Sequence, residues 1–220
     1  MEKIPVYFMP GLAASPSIFE RIQLPEDQFE MIFLEWEIPL DNDSLSDYAQ
    51  RIARKITKPN PVLVGVSFGG ILVQEMAQFV DARKVIIISS VRCNTQFPRR
   101  MKVTKALHAY KLVPNNLVDK IEKLAKWSSN KTVKERMELY DRFLSVRDDR
   151  YLQWAIRNVV LWDRSEIDEK VVHIHGDADE IFPIRYIKNC HVVPGGTHIM
   201  ILNRFRWINE HLPKIILDEI

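Results

Sequence analysis

Residues 62–70 read Val-Leu-Val-Gly-Val-Ser-Phe-Gly-Gly, and residues 71–77 continue as Ile-Leu-Val-Gln-Glu-Met-Ala. The first part is an apolar, β-branched run of strand length, and a helical pattern begins just after Ser67. Between them lies Gly-x-Ser-x-Gly, the spacing that places a serine on a sharp strand-to-helix turn. The glycines on either side of the serine lack a β-carbon, which lets the strand and the helix approach closely. On its own the motif also fits a plain turn, but a strand before it and a helix after it favour an activated serine.

This stretch resembles the nucleophile elbow of the α/β-hydrolase superfamily. In that family the elbow serine is followed along the chain by an acid and then by a histidine. The resemblance implies that Ser67 is the nucleophile, and it places testable demands on the rest of the sequence.

Two later segments resemble the other two family motifs in the required order. Residues 175–183 fit His-Gly-x-x-Asp-x-x-x-Pro directly after a predicted strand, which implies Asp179 as the acid. Asp177 is the alternative, because loop geometry cannot be read from sequence. Residues 194–198 read Pro-Gly-Gly-Thr-His after the last predicted strand, and they imply His198 as the catalytic base.

The loop at residues 10–15 follows the first strand and is rich in small residues. It resembles the family loop that donates one backbone N–H to the oxyanion. By position this donor is Leu12, and Phe68 is the second. The family usually has His-Gly where this chain has Pro10-Gly11. The chain also lacks a His-Gly-Gly-Gly run, which argues against the lipase-like subgroup that uses that motif.

Strand-like runs alternate with helical patterns over most of the chain, which predicts an α/β fold with a doubly wound, mostly parallel sheet. We expect an α/β-hydrolase fold of minimal size, with about six strands and without the family's first two antiparallel strands. Helices are expected over residues 45–56, after the elbow and over 204–217. The predicted strands cover residues 4–9, 31–36, 61–66, 84–89, 171–175 and 190–193.

Between residues 92 and 165 strand-like runs disappear and helical patterns follow one another. The resemblance implies that this insertion is a helical cap, and that residues 1–91 and 166–220 form the hydrolase core of a single domain. Most aromatic side chains of the cap are expected to pack, and Trp127 and Trp154 are candidates for substrate contact. Three cap helices are expected, over residues 117–124, 133–144 and 152–160.

The stretch from residue 92 to residue 111 contains six Lys or Arg and no Asp or Glu. One interpretation is a solvated face of the cap. The other is a surface that steers an anionic substrate, with Arg99 and Arg100 as the binding residues.

Composition excludes several classes of protein. The 220 residues carry 31 Lys plus Arg and 29 Asp plus Glu, so the formal net charge of +2 does not favour a nucleic-acid partner. The start of the chain lacks the features of a signal peptide, and no apolar stretch approaches the roughly 18 residues of a membrane span. We therefore expect a cytoplasmic protein whose partner is a small-molecule substrate, with no membrane partner; the oligomeric state stays open.

Neither a metal nor another cofactor is expected. Cys93 and Cys190 are the only cysteines and form no Cys-x-x-Cys motif, so neither a disulfide framework nor a zinc knuckle is indicated. His173 and His175 alternate on a strand ahead of acidic residues, which leaves a metal site conceivable. The hydrolase loop explains the same residues with fewer assumptions.

These residues are suited to nucleophilic acyl transfer, so we expect a serine hydrolase of the carboxylesterase or thioesterase kind. A serine at the elbow argues against haloalkane dehalogenase and epoxide hydrolase chemistry, which in this family use a carboxylate nucleophile. Two alternatives stay open. One is a C–C bond hydrolase or lyase that uses the same triad, and the other is a non-catalytic ligand-binding protein of the same fold.

Overall fold

A computed structural model of the chain describes residues 2–112 and 142–220. Its strands are β1 (Ile4–Met9), β2 (Phe29–Phe33), β3 (Val62–Val66), β4 (Lys84–Ile88), β5 (Val171–Gly176) and β6 (His191–Val193). They form one six-stranded sheet in the order β2-β1-β3-β4-β5-β6, and every neighbouring pair is parallel. The predicted α/β fold with a mostly parallel sheet of about six strands is confirmed.

Helices cover both faces of this sheet. Within the described ranges the α-helices are α1 (Leu45–Ala53), α2 (Phe68–Met76), α3 (Arg99–Ala106), α4 (Asp149–Leu161), α5 (Met200–Asn203) and α6 (Phe205–Ile216). Short 3₁₀ helices span Pro16–Phe19, Asn94–Gln96, Ala109–Leu112 and Ile184–Tyr186. In this part of the chain, no helix is long and apolar enough to cross a membrane.

The central strand β3 is apolar and buried over its whole length because helices cover both faces of the sheet there. On β3, Leu63 belongs to the core cluster that includes Ile71 of α2. The alternate residues Val62 and Val64 belong to the opposite cluster, with Leu212 of α6. A strand with two buried faces needs a continuous apolar run rather than an alternating one, as the sequence shows.

The strand order reverses at β1, which lies between β2 and β3. The loops that follow β1 and β3 therefore leave the same edge of the sheet side by side. In open α/β sheets ligands bind at such a point, outside the carboxyl ends of the strands. The fold thus places the 10–15 loop next to the predicted elbow.

The second strand differs from its prediction over residues 31–36, since β2 ends at Phe33. Beyond it the chain turns toward the elbow. The Trp36 indole Nε1 donates a hydrogen bond to the Gly11 carbonyl at 2.7 Å, and its ring stacks on Phe68 with centroids 5.0 Å apart. At the carboxyl end of β2, packing of Trp36 on the elbow thus takes the place of strand pairing.

The cap region is helical in part. Helix α4 matches the helix predicted over residues 152–160 and buries Tyr151 and Leu152 in the core. Leu144 was predicted to be helical, but it forms an isolated antiparallel bridge with Ala14, which ties the region to the 10–15 loop. The helix predicted over 117–124 and most of that predicted over 133–144 lie outside the described residues. The division into core and cap stays a prediction.

Candidate active site

Ser67 joins β3 to α2 in a strained conformation, with φ 52° and ψ −117°. A non-glycine residue at positive φ costs on the order of 1–3 kcal/mol and persists only where the surroundings enforce it. A β-carbon on Gly65 would lie 2.3 Å from the Gly69 carbonyl oxygen, and one on Gly69 would lie 2.3 Å from that of Pro10. The two glycines therefore permit the sharp turn, as the spacing of the motif predicts.

Ser67, His198 and Asp179 form a continuous hydrogen-bond chain at the carboxyl ends of β3, β6 and β5. The Ser67 Oγ lies 2.9 Å from Nε2 of His198, and the His198 Nδ1 lies 2.9 Å from Oδ2 of Asp179. Because a carboxylate only accepts, Nδ1 carries the ring proton and Nε2 is free to accept the serine proton. The arrangement suits proton transfer from the hydroxyl to the imidazole.

Asp179 is held as a charged group by donors on two sides. Its side chain is fully buried, and its Oδ1 accepts backbone N–H bonds from Ile181 at 2.8 Å and Phe182 at 2.9 Å. Burial raises the pKa of this carboxyl, but the hydrogen bond and charge of His198 and the Phe182 N–H outweigh it, so the pKa lies below its ordinary value.

Asp177, the alternative acid, has a different contact. It is exposed, and its Oδ1 accepts the Gly195 N–H at 2.7 Å. This bond ties the loop after β5 to the loop that carries His198. The two loops also meet where a β-carbon on Gly176 would lie 2.0 Å from the Gly196 carbonyl oxygen.

Leu12 and Phe68 lie on the two loops that the fold brings together. Phe68 is the first residue of α2, so its N–H has no partner within the helix. A β-carbon on Gly11 would lie 3.7 Å from the Ser67 Cβ, which places the 10–15 loop against the serine. Among the described residues, neither the Leu12 nor the Phe68 N–H has an acceptor. The two donors are therefore available to a ligand.

Comparison with known proteins identifies the family of this chain. The model of the alpha/beta hydrolase family matches residues 8–210. The chain belongs to this family. A search of curated proteins found no match.

Solved structures with this fold share little sequence with the chain. A thermophilic esterase from Thermogutta terrifontis is 14% identical, with a TM-score of 0.70 over 98% of this chain and 90% of that one. A bromoperoxidase from Bacillus anthracis is 16% identical, with a TM-score of 0.68 over 99% and 92%. A structure from a study of carboxylesterases of Nitrososphaera gargenis is 13% identical, with a TM-score of 0.68 over 100% and 93%. At these identities the likeness establishes the fold.

In this family member an aromatic layer supports the two N–H donors. Trp36 stacks on Phe68, and the Tyr151 hydroxyl accepts the Ala13 N–H at 3.0 Å, where Ala13 has φ 58°. Neither Trp36 nor Tyr151 belongs to a motif of the sequence that predicts a site residue. For Trp36 the available signal was its position: an aromatic residue with a hydrogen-bond donor lies at the end of a predicted strand.

Of the two cap tryptophans, Trp127 lies outside the described residues. Trp154 packs its ring 5.9 Å from that of Phe68, and its Nε1 donates to the Asp43 carbonyl at 2.8 Å. Its indole N–H is therefore used within the protein, and its ring supports the start of α2. Any contact of Trp154 with substrate stays a prediction.

The basic stretch does not form one surface in this family member. The Arg92 side chain is only 2% exposed and donates to the Lys188 carbonyl, so its expected place on a solvated cap face is wrong. Arg100 donates to the carbonyls of Glu180 and Ile181, the latter at 2.8 Å. Arg99, Arg100 and Lys102 are exposed on α3, so the stretch is divided between one buried arginine and an exposed group.

A buried histidine pair lies behind the acid. The His175 Nε2 donates to the Phe182 carbonyl at 2.8 Å, so its Nδ1 must accept from Nε2 of His173 at 3.0 Å. Among the residues that the structure describes, the buried His173 Nδ1 has no hydrogen-bond partner. In the described part of the chain, no three His, Cys, Asp or Glu residues are grouped to hold a metal ion.

This pair predicts an acid-sensitive fold. Burial lowers the pKa of His173 well below 6.5, with His175 and Arg92 adding to the effect. Burial also lowers the pKa of His175, and His198 adds to this against the opposing effects of Phe182 and Asp179. Below pH 6.5 the unfolded chain takes up protons that the folded protein refuses, so stability is lost as pH falls.

We expect the free energy of unfolding to drop by about 2 kcal/mol between about pH 7 and about pH 5.5, measured by urea denaturation. His173→Gln removes the ring with the more strongly lowered pKa and keeps a donor for His175, so it should remove the larger part of this pH dependence. His108→Gln, at an exposed histidine, is the matched control and should leave the dependence unchanged. Equal dependence in all three proteins would contradict the prediction.

Proposed function

We propose that this family member is a serine hydrolase that cleaves an ester or thioester of a small acyl substrate through an acyl-enzyme on Ser67. The observation that carries the proposal is the hydrogen-bond chain from Ser67 through His198 to Asp179, with both links at 2.9 Å. Membership of the alpha/beta hydrolase family supports it, and so do structural neighbours described as an esterase and carboxylesterases.

The reaction runs in two halves. As the Ser67 Oγ attacks the substrate carbonyl, His198 Nε2 takes its proton, and the oxyanion accepts the N–H groups of Leu12 and Phe68. The imidazolium then protonates the departing oxygen or sulfur as its bond to the acyl carbon breaks. Water attacks the acyl-enzyme with His198 again as base, which releases the acid and restores the serine.

Asp179 acts through the histidine. Its carboxylate keeps the ring proton on Nδ1 and stabilises the imidazolium that forms when the serine proton is transferred. The lowered pKa of Asp179 favours this role, because the group stays charged at neutral pH.

A serine hydrolase differs from a non-catalytic binding protein in what it requires around the serine. A binding protein needs a pocket but no base beside the hydroxyl, whereas here the hydroxyl is paired with an imidazole that is itself paired with a buried carboxylate. A C–C bond hydrolase or lyase would use the same residues on another substrate, so turnover of simple esters and thioesters separates these activities.

Labelling with a fluorophosphonate probe tests the activated serine. We expect wild type to be labelled and Ser67→Ala to remain unlabelled. His198→Ala should be labelled about 10³-fold more slowly, because the general base is lost. The rates can be followed by in-gel fluorescence, and hydrolysis of p-nitrophenyl acetate and of a short acyl thioester then assigns the reaction.

Ser46→Ala is the matched control, since Ser46 is exposed at the start of α1 and should not affect labelling. Folded wild-type protein that fails to react with the probe would refute the proposal in favour of a binding protein. Equal labelling after Ser67→Ala would refute it by placing the reactive nucleophile at another residue.

A further inference from the structure

The fold groups three arginines around a cavity beside the loop that follows Asp179. One wall is formed by Pro98, Arg99 and Arg100 at the start of α3. The other consists of Pro183, Arg185 and Tyr186, at and beside the 3₁₀ helix Ile184–Tyr186. The cavity has a volume of about 520 Å³, within the range of small-molecule sites. We refer to it as the arginine pocket.

The arginine pocket is strongly cationic. Its lining includes three guanidinium groups, and none of the lining residues described is acidic. Within residues 2–112 and 142–220, no carboxylate pairs with Arg99, Arg100 or Arg185. Three unneutralised cations in one concave site repel one another, so the pocket gains from an anion.

Contacts within the protein position two of the three guanidinium groups. Arg100 is fixed by its two bonds to the carbonyls of residues 180 and 181, and the Arg185 guanidinium carbon lies 5.1 Å from the centre of the Tyr186 ring. The Arg185 side chain beside the phenol also lowers the pKa of Tyr186, and Arg99 adds to this effect. Both walls thus contribute positively charged side chains to the pocket lining.

The number of guanidinium groups favours phosphate over carboxylate. Each guanidinium presents donors in a planar fork that matches one carboxylate or one phosphate edge. A single carboxylate would satisfy one fork and leave two arginines unpaired. A phosphate group carries about −1.5 to −2 charge and three acceptor oxygens, so it can engage all three.

The position of the arginine pocket relates it to the reaction. Pro98 follows Phe97 and Pro183 follows Phe182, and the rings of these phenylalanines lie 6.0 Å apart. The Phe182 ring in turn lies 5.4 Å from the His198 imidazole. Residues next in sequence to both walls of the pocket thus pack on one another, and one of them contacts the His198 ring.

We propose that the arginine pocket binds the phosphate group of a phosphorylated ligand. This group has two sources: the leaving thiol or alcohol of the substrate, or a separate phosphorylated molecule that binds beside the site. Arg185 is the residue that the sequence analysis did not anticipate, since it lies far along the chain from the basic stretch.

Calorimetric titration with inorganic pyrophosphate at low, fixed ionic strength tests the site. We expect wild type to bind, and Arg185→Gln and Arg99→Gln, one from each wall, to bind about tenfold more weakly. Arg83→Gln is the matched control, because Arg83 is exposed just before β4, at the opposite edge of the sheet. Absence of binding, or equal affinity in all four proteins, would overturn the proposal.

Kinetics then distinguishes the two sources. If the phosphate belongs to the substrate, Arg185→Gln lowers the ratio of kcat/KM for an acetyl-coenzyme A thioester to that for the N-acetylcysteamine thioester, and Arg83→Gln does not. If it belongs to a separate ligand, pyrophosphate alters hydrolysis of the N-acetylcysteamine thioester in wild type and Arg83→Gln but not in Arg185→Gln. Only this kinetic experiment rests on the proposed function, whereas the calorimetric titration does not. Ser67→Ala should still bind pyrophosphate even if the hydrolase proposal fails.

Discussion

Asp179→Asn is expected to lower kcat for an activated ester by about 10⁴-fold while leaving the protein folded. The reason lies in the backbone donors around the side chain. Oδ1 of Asp179 accepts the N–H groups of Ile181 and Phe182. In the variant these two donors select the amide oxygen for that position, so the amide NH₂ must face His198.

An NH₂ group beside Nδ1 forces this nitrogen to accept and moves the ring proton to Nε2. The imidazole then presents a proton to the Ser67 hydroxyl and can no longer accept one, so the serine is not activated. The geometry changes little, because Asn and Asp have the same shape. Steady-state kinetics with p-nitrophenyl acetate measures the loss, and thermal unfolding verifies that the fold is retained.

Asp177→Asn is the matched control for this experiment. Its amide oxygen can still accept the Gly195 N–H, so we expect kcat to stay within about twofold of wild type. An inactive Asp177→Asn beside an active Asp179→Asn would transfer the role of the acid to Asp177 and contradict the assignment.

The choice between these two aspartates illustrates where sequence reasoning ends. Both follow the same strand by a few residues, and both lie in a loop whose path depends on contacts across the molecule. The direction of Asp179 is fixed by N–H groups two and three residues later, and that of Asp177 by a glycine on another loop. A family pattern can rank such residues, but it does not give the backbone path that directs each side chain.

The fold itself is readable from the sequence because its signals are local. A strand buried on both faces needs a run such as residues 84–88, and the elbow requires glycine at fixed distances from the serine. These requirements act within a few residues. The residue at which a strand ends depends on contacts that are distant in sequence. The strand β2, for example, ends early because Trp36 packs on a loop from another part of the chain.

The pattern of charges along the sequence is less informative about the site, because it does not indicate how deeply each charged side chain is buried. Arg92 and Arg100 belong to the same basic stretch, yet Arg92 is buried and donates to the Lys188 carbonyl, whereas Arg100 is exposed and reaches the loop after Asp179. Arg185 joins the arginine pocket from beyond β5. Which cations meet is decided by the topology of the sheet, so a count along the chain cannot find them.

Gly69→Ala is expected to destabilise the protein by about 3 kcal/mol and to lower the melting temperature by about 10 °C. A β-carbon at this position would lie 2.3 Å from the Pro10 carbonyl oxygen and 2.5 Å from that of Met9. Both atoms belong to the backbone at the end of β1, so neither can rotate away. Relief requires α2 to move away from the 10–15 loop.

That movement should also impair the reaction, because it separates the N–H groups of Leu12 and Phe68 that the proposed mechanism uses together. We expect kcat to fall by about 10²-fold or more even below the melting temperature, as for loss of one oxyanion donor. Gly11→Ala is the matched control: its β-carbon would lie 3.7 Å from its nearest neighbours, which is ordinary contact, so the variant should unfold like wild type. If Gly69→Ala were as stable and active as Gly11→Ala, the close approach of α2 to β1 would not be what positions the oxyanion donors.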